Sequence, residues 1–160
     1  MKLIEILDST RIPVGYRISF LTNFWREPLL RRMERKFSII RPELTVLMCL
    51  NFHDGLHARD ICEITEQPSN TVSRAVTALE VAGKITRCRD ENDQRRMTLK
   101  LTEAGRSLHD AIMEEFSAAE AALLQTLTDE ETKILIQLLD RLARDVVNWS
   151  SSDDYQSAFC

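Results

Sequence analysis

The chain has 160 residues, of which 44% are hydrophobic and 6% aromatic, with four glycines and four prolines. This length suits one domain, or one domain with an oligomerisation arm, and the apolar share excludes disorder of the whole chain. The scarcity of glycine, proline and aromatic residues favours a helix-rich fold over a β-sandwich or barrel.

The sequence contains no signal for membrane insertion or export. No apolar run approaches the roughly 18–20 residues that cross a bilayer. Glu5 and Asp8 interrupt the first residues too early for the apolar core of a signal peptide. We therefore expect a cytoplasmic protein.

The net charge of −4 is unevenly distributed along the chain. Residues 26–41 contain six basic and two acidic side chains, and residues 69–106 contain eight basic and five acidic ones. Residues 107–160 contain three basic and eleven acidic side chains. A basic footprint beside an acidic remainder suits local contact with phosphates better than general binding of polyanions.

The first long segment predicts a helix with one apolar stripe, because its apolar residues recur every three or four positions. Pro28 lies inside this segment, so we expect a kink or break near Glu27. Pro42 fits the first turn of a second helix, which ends near Asp54 and Gly55. The stripe comprises Val14, Ile18, Leu21, Trp25, Leu29, Met33 and Phe37.

The middle of the chain predicts two helices joined by a short turn. Residues 58–67 form the first helix, and Ser69 is a suitable N-cap for the second. Gly83 ends the second helix. Its core-facing residues are Val72, Ala75, Val76 and Leu79.

A hairpin and two further helices follow. Residues 85–88 and 97–101 predict strands joined by a charged loop. Thr102 should cap the next helix, and Thr128 with Glu131 predicts a capping box for the last one. Residues 150–160 are expected to form a frayed tail.

The exposed face of the second middle helix has the chemistry of a groove reader. Asn70, Thr71, Ser73, Thr77 and Ala78 are short, so the helix can approach base edges closely, and Arg74 can reach a guanine or a phosphate. A polar surface helix would show the same pattern, so the helix alone does not decide the function.

The loop of the hairpin adds a second argument for DNA. The Asp93 carboxylate can hold the Arg95 guanidinium by charge-assisted hydrogen bonds and direct it outward. An arginine at a hairpin tip suits the narrow, electronegative minor groove. The alternative is a turn with an ordinary surface ion pair.

These residues together resemble the MarR family of bacterial transcription regulators. The resemblance rests on Ser69 to Arg74, Leu79, Gly83, Asp93 to Arg96, Leu99 to Thr102, and Gly105. It implies a mainly α fold with a small β-hairpin, namely a winged helix-turn-helix with N- and C-terminal dimerisation helices. It also implies a homodimer that binds double-stranded DNA at a near-palindromic operator.

The expected organisation is an N-terminal dimerisation region (1–38), a DNA-binding lobe (39–104), C-terminal dimerisation helices (105–149) and a flexible tail (150–160). We expect a repressor without a cofactor. The predicted DNA-binding residues are Ser69, Asn70, Thr71, Ser73, Arg74, Thr77, Asp93, Arg95 and Arg96.

The resemblance further implies release from DNA by a small aromatic or phenolic effector. Arg17 can pair with a ligand carboxylate between aromatic walls. The candidate effector-binding residues are Tyr16, Arg17, Phe20, Phe24, Phe52 and His53, although each also suits an ordinary core or surface position.

Other functions remain open at this stage. A redox-responsive regulator would use Cys88 or Cys160, since Cys49 and Cys62 fall on apolar helix faces and are expected to be buried. A metal-responsive regulator would use His53, Asp54 and His57, but Gly55 interrupts a zinc-binding helix face, so no metal site is assigned. A winged-helix protein-interaction module is a further alternative. The sequence lacks catalytic motifs, which indicates that the protein is not an enzyme.

Overall fold

Helices make up most of the chain, with one antiparallel hairpin between the sixth and seventh of them. The computed structural model describes residues 3–90 and 96–150. It contains two compact units, Met1–Ala119 and Glu120–Cys160. The elements are α1 (Leu3–Ser9), α2 (Pro13–Leu21), a π-helical turn (Thr22–Arg26), α3 (Glu27–Phe37), α4 (Arg41–Phe52), α5 (Ala58–Thr65), α6 (Ser69–Val81), β1 (Ile85–Arg89), β2 (Met97–Leu101), α7 (Glu103–Leu124) and α8 (Asp129–Ser150).

Pro28 does not break the first long helix. Glu27 keeps helical angles of −65° and −42°, and its N–H donates to the carbonyl of Thr22, five residues back. Proline lacks a donor and its ring strikes the carbonyl four residues earlier in a regular α-helix. The wider π turn ends two residues before Pro28 and accommodates this conflict. The expected break near Glu27 is therefore wrong, and the irregularity lies in the turn before it.

The core of the first unit is formed by α3 to α7 and the hairpin. Helix α6 buries Val72, Ala75, Val76 and Leu79, as its spacing predicts. The buried residues contributed by the other elements include Leu29, Met33, Leu44, Val46, Leu47, Leu50, Ile61, Ile85, Leu99, Leu101 and Ile112. Because this cluster includes both α6 and the hairpin, one core holds both elements in place.

The hairpin is joined to the segment that follows α4. Strands β1 and β2 pair from Ile85 with Leu101 to Arg89 with Met97. On the other side of β2, the Gly55 N–H donates to the Leu99 carbonyl at 2.9 Å, and the Leu99 N–H donates to the Leu56 carbonyl at 2.8 Å. The segment after α4 is thus hydrogen-bonded to the outer edge of β2 in this two-stranded sheet.

Asp54 reinforces this join with its side chain. One carboxylate oxygen accepts the Leu101 N–H at 2.9 Å, and the other accepts from Arg106 at 2.9 Å. The Asp54 carboxylate therefore links the segment after α4 to strand β2 and to the start of α7.

Two of the three predicted helix caps are confirmed. The Gly105 N–H donates to the Thr102 hydroxyl at 3.0 Å, and Thr128 and Glu131 form the reciprocal capping box. Ser69 is instead the first residue of α6, whose N-cap is Pro68. The Pro68 carbonyl, rather than a Ser69 hydroxyl, accepts the first N–H groups, those of Thr71 and Val72.

Three side-chain contacts join the N-terminal helices to α7. The Trp25 indole N–H donates to the Ala119 carbonyl at 3.2 Å. Glu115 pairs with Arg32 at 2.7 Å and with Lys36. The hydrogen bond from Lys36 lowers the pKa of Glu115, so its carboxylate stays charged to lower pH than usual.

Apolar side chains lie exposed at both ends of the described chain. Along α2 and the π turn, Val14, Ile18, Leu21 and Phe24 are exposed. Helix α8, in the second unit, exposes Ile134, Ile136, Leu138, Leu139, Leu142 and Val146. Among the described helices, none combines the length and apolar composition that a membrane crossing requires.

Gly105 makes the closest backbone approach among the glycines. A Cβ atom at this position would lie 2.0 Å from the carbonyl oxygen of Lys84 and 3.0 Å from its carbonyl carbon. That oxygen already accepts the Thr102 N–H at 3.0 Å, so it cannot move away without loss of a hydrogen bond. Only glycine fits here without displacement of the backbone.

We predict that Gly105→Ala lowers the free energy of unfolding by about 2 kcal/mol or more, the cost of an overpacked site. Urea denaturation at fixed protein concentration measures this loss. Gly15→Ala is the matched control, because a Cβ at Gly15 meets no atom within 4 Å. In helix α2 it should be neutral or stabilise by up to about 1 kcal/mol. Equal stability of the two variants would contradict the packing described at Gly105.

Candidate nucleic-acid interface

Helices α5 and α6 are joined by a three-residue turn, Glu66 to Pro68. Glu66 ends α5 in the left-handed conformation, with φ of 53°. The Gln67 amide donates to the Thr45 hydroxyl at 3.3 Å, which ties the turn to α4. The core-facing residues of α6 thus lie against α4 and α5, and the opposite face of α6 is directed outward.

The outward face of α6 carries most of the predicted DNA-binding side chains. Ser69, Asn70, Ser73 and Arg74 are exposed. Thr71, which the sequence predicts to face outward, is half-buried because it lies one turn before buried Ala75 at the edge of the apolar stripe. Arg74 makes no hydrogen bond or ion pair within the described part of the chain. Its guanidinium is therefore available for a partner outside the chain.

The C-terminal half of α6 is braced by the hairpin. Arg87 of β1 pairs with Glu80 at 2.9 Å and donates to the Thr77 hydroxyl at 3.4 Å. Thr77 in turn donates to the Ser73 carbonyl at 2.9 Å. Thr77 is thus exposed but already hydrogen-bonded. Sequence reasoning did not identify Arg87, since nothing in the sequence shows that it lies beside Glu80.

The hairpin provides further positive charge beside α6. Arg89 and Lys100 are exposed, and neither forms an ion pair with a residue that the structure describes. Arg96 is also exposed and lies beside Asp60. Asp93 and Arg95, predicted for the tip, lie outside the described residues. Exposed cations on α6 and on the hairpin suit phosphate binding, and these are Arg74, Arg89, Arg96 and Lys100.

Asp60 lies at the junction of α5 and the hairpin. Its pKa lies below the ordinary value, chiefly because its carboxylate accepts the His57 backbone N–H; the His57 ring and the Arg96 charge act in the same direction, against desolvation. Because folding lowers the pKa of Asp60, its charged carboxylate stabilises the fold at pH values above its pKa in the unfolded chain. The contribution is lost as pH falls through the folded value.

The predicted effector residues fall on two parts of the first unit. Tyr16, Arg17 and Phe20 lie on α2, with Phe24 in the π turn, and the Phe20 and Phe24 rings stack at 4.5 Å. Phe52 is the last residue of α4 and is 85% exposed, and His53 follows it. Four surface cavities of the described chain are lined by other residues.

The cysteines and histidines show no clustered site within residues 3–90 and 96–150. No group of three His, Cys, Asp or Glu side chains there is placed to hold a metal ion. Cys49, Cys62 and Cys88 are all half-buried, so the burial expected of Cys49 and Cys62 is only partial. Cys49 and Cys62 pack against the edge of the core, and burial raises the pKa of the Cys49 thiol.

Two helices joined by a tight turn, followed by a hairpin that packs against the second helix, define a winged helix-turn-helix protein. The model of the MarR family matches residues 37–96, which run from the end of α3 to the end of the hairpin loop. A Bacillus subtilis protein, YwhA, described as an uncharacterized HTH-type transcriptional regulator, is 31% identical over 100 residues, covering 62% of this chain and 71% of its own. The chain belongs to the MarR family and is a DNA-binding transcription regulator.

Solved structures agree with this fold. A MarR transcriptional regulator from Methanosarcina mazei superposes with a TM-score of 0.75 at 22% identity, over 84% of this chain and 96% of its own. A MepR variant of S. aureus, bound to an oligodeoxyribonucleotide, superposes with a TM-score of 0.59 at 24% identity, over 83% of this chain and 97% of its own. The predicted winged helix-turn-helix is therefore confirmed.

We predict that Arg74→Gln weakens binding to a duplex selected from a random library by roughly tenfold or more, consistent with the ~1–3 kcal/mol cost of losing a specific arginine contact. Fluorescence anisotropy at fixed salt measures the change. Lys133→Gln on α8 removes the same charge from an exposed position far along the chain and should bind like the unmodified protein. Equal affinity of the two variants would contradict the role assigned to Arg74.

Proposed function

We propose that the protein is a transcriptional repressor that binds a near-palindromic operator as a homodimer and leaves it when a small aromatic or phenolic effector binds. In this proposal α6 of each copy enters a major groove and the hairpin tip, with Arg95, enters the adjacent minor groove. The observation that carries the proposal is the exposed face of α6. Its short polar side chains surround Arg74, which has no partner within the described chain.

The shape of α6 supports major-groove binding. Ser69, Asn70 and Ser73 are short enough for the helix backbone to approach base edges, where hydroxyl and amide groups can read them. Arg89 and Lys100 on the hairpin add positive charge that would fix the register through phosphates. The S. aureus MepR variant, which shares this fold, is bound to DNA in its structure, and this supports the same partner here.

Exposed apolar stripes support the homodimer. Val14 and Ile18 are at least half exposed, and on α8 Leu138 and Leu142 are 50% and 51% exposed. Stripes of this kind mark interfaces. We propose that residues 1–38 and 105–149 supply the dimer contacts, and that residues 39–104 form the DNA-binding lobe. A twofold axis would then place the two α6 helices one DNA turn apart, about 34 Å.

The aromatic pair on the N-terminal arm supports the effector site. Phe20 and Phe24 stack and Phe24 is exposed, while the half-buried Tyr16 lies one turn before Phe20 on α2. The Arg17 guanidinium donates to the Pro13 carbonyl at 3.1 Å and lies 3.9 Å from the Asp8 carboxylate. This ion pair is exposed and weak, so a ligand carboxylate can replace Asp8. Such a ligand releases DNA only if it binds the DNA-incompetent arrangement more tightly.

We predict that light scattering at micromolar concentration gives twice the chain mass, and that Leu142→Glu shifts the protein toward monomer. In a twofold interface each copy would bury one new carboxylate, so the substitution would carry its desolvation cost twice. The same variant should lose most affinity for a duplex with two half-sites and keep its affinity for a single half-site. Gln137→Glu, an exposed change on the same helix, is the control. A monomeric mass for the unmodified protein would refute the dimer.

We predict that at least one aromatic acid raises the melting temperature, because a ligand specific to the folded state stabilises it. Arg17→Gln should abolish this shift, and Arg11→Gln, at an exposed arginine on the same arm, should preserve it. The same acid should restore transcription from a promoter that the protein represses. A shift that survives in Arg17→Gln would exclude the proposed anchor.

A further inference from the structure

His57 occupies an unusual position for a helix cap. It is the N-cap of α5, and its backbone N–H donates to the Asp60 carboxylate at 2.8 Å. Its ring lies between two carboxylates: Nδ1 is 3.0 Å from Asp60 and Nε2 is 3.1 Å from Asp90. Only 23% of the His57 side chain and 17% of the Asp90 side chain is exposed.

Asp90 lies at the root of the hairpin loop. It follows β1 directly, and its N–H donates to the Arg96 carbonyl at 3.1 Å, which closes the loop on the return side. Arg96 and Met97 line a small cavity together with His57 and Asp60. The His57 ring therefore contacts Asp90, which precedes the loop, and shares a cavity with Arg96 and Met97, which follow it.

Helix capping alone does not require this residue. Serine, threonine, aspartate and asparagine are the preferred N-cap residues, and each would bond the start of α5 with a short side chain. The ring of His57 adds a second nitrogen that reaches Asp90, 33 residues further along the chain. The contact with Asp90 is what histidine contributes beyond capping.

We infer that His57 is a positioning residue for DNA binding, which fastens the root of the hairpin to the N-terminus of α5 and so sets how the hairpin is held relative to DNA. The inference rests on the proposed contact of the hairpin with DNA. It assigns His57 no contact with DNA itself, since both ring nitrogens face carboxylates of the same chain.

The chemistry of imidazole makes this link depend on pH. Neutral imidazole donates through one nitrogen, whereas imidazolium donates through both. Both ring nitrogens can therefore donate to their carboxylates only when the ring carries a second proton. Among the residues that the structure describes, the charged groups around the ring are Asp60 on α5, Asp90 after β1, Arg96 on the return side, and Arg59, which lines the same cavity.

The sharpest test is His57→Thr, because threonine keeps the helix cap and cannot reach Asp90. Affinity for a selected duplex is measured by anisotropy at about pH 6 and about pH 8, in buffers of equal ionic strength. The unmodified protein should bind more tightly at the lower pH, by on the order of threefold to tenfold, the size of one hydrogen bond. His57→Thr should bind with the weaker affinity at both pH values.

Two further variants complete the experiment. Asp90→Asn should flatten the pH dependence in the same way, and it decides the question if His57→Thr does not fold. Glu63→Gln changes an exposed carboxylate of α5 that pairs with Arg59 and not with the ring, and it should leave the dependence intact. A pH profile that is the same in His57→Thr, Asp90→Asn and the unmodified protein would overturn the inference. Failure of the unmodified protein to bind any duplex would instead overturn the proposed function.

Discussion

The position of the hairpin relative to α6 depends on the carbonyl of Lys84. This carbonyl accepts the Thr102 N–H at 3.0 Å, and its oxygen would lie 2.0 Å from any Cβ at Gly105. The Lys84 carbonyl, just after α6, therefore touches both the end of β2 and the start of α7. The contact leaves no room for a side chain at position 105. The shared core beneath, from Val76 and Leu79 to Ile85 and Leu101, then fixes the orientation of α6 and the hairpin together. A DNA reader requires this, because two elements must enter adjacent grooves in a set relation.

The basic side chains fall into two groups: some are paired with other residues of the chain, and others are available for DNA. Arg87 is committed to Glu80 and Thr77, and Arg32 and Lys36 are committed to Glu115. Arg74, Arg89 and Lys100 are exposed and form no ion pair with described residues. The acidic total of the chain is compatible with DNA binding, since most of the negative charge follows residue 106 and the available cations precede it.

The sequence correctly predicted the features that depend on interactions between residues close together in the chain. The core face of α6, the caps at Thr102 and Thr128 and the two strands depend on near neighbours, and the structure confirms each. The outcome at Pro28 depended on whether the preceding turn could widen, which no local pattern shows. The Arg87–Glu80 brace and the contact of His57 with Asp90 arise only when the hairpin folds onto α5 and α6. Thr71 became half-buried for a similar reason, because the neighbouring elements cover the edge of the apolar stripe.

The central claim is that two copies of α6 read DNA across a twofold axis. Selection of bound duplexes from a random library, followed by sequencing, tests it most directly. We expect enrichment of an inverted repeat whose half-sites are centred about 10 base pairs apart, one turn of DNA. Enrichment of a single half-site without a symmetric mate, or no enrichment at all, would contradict it.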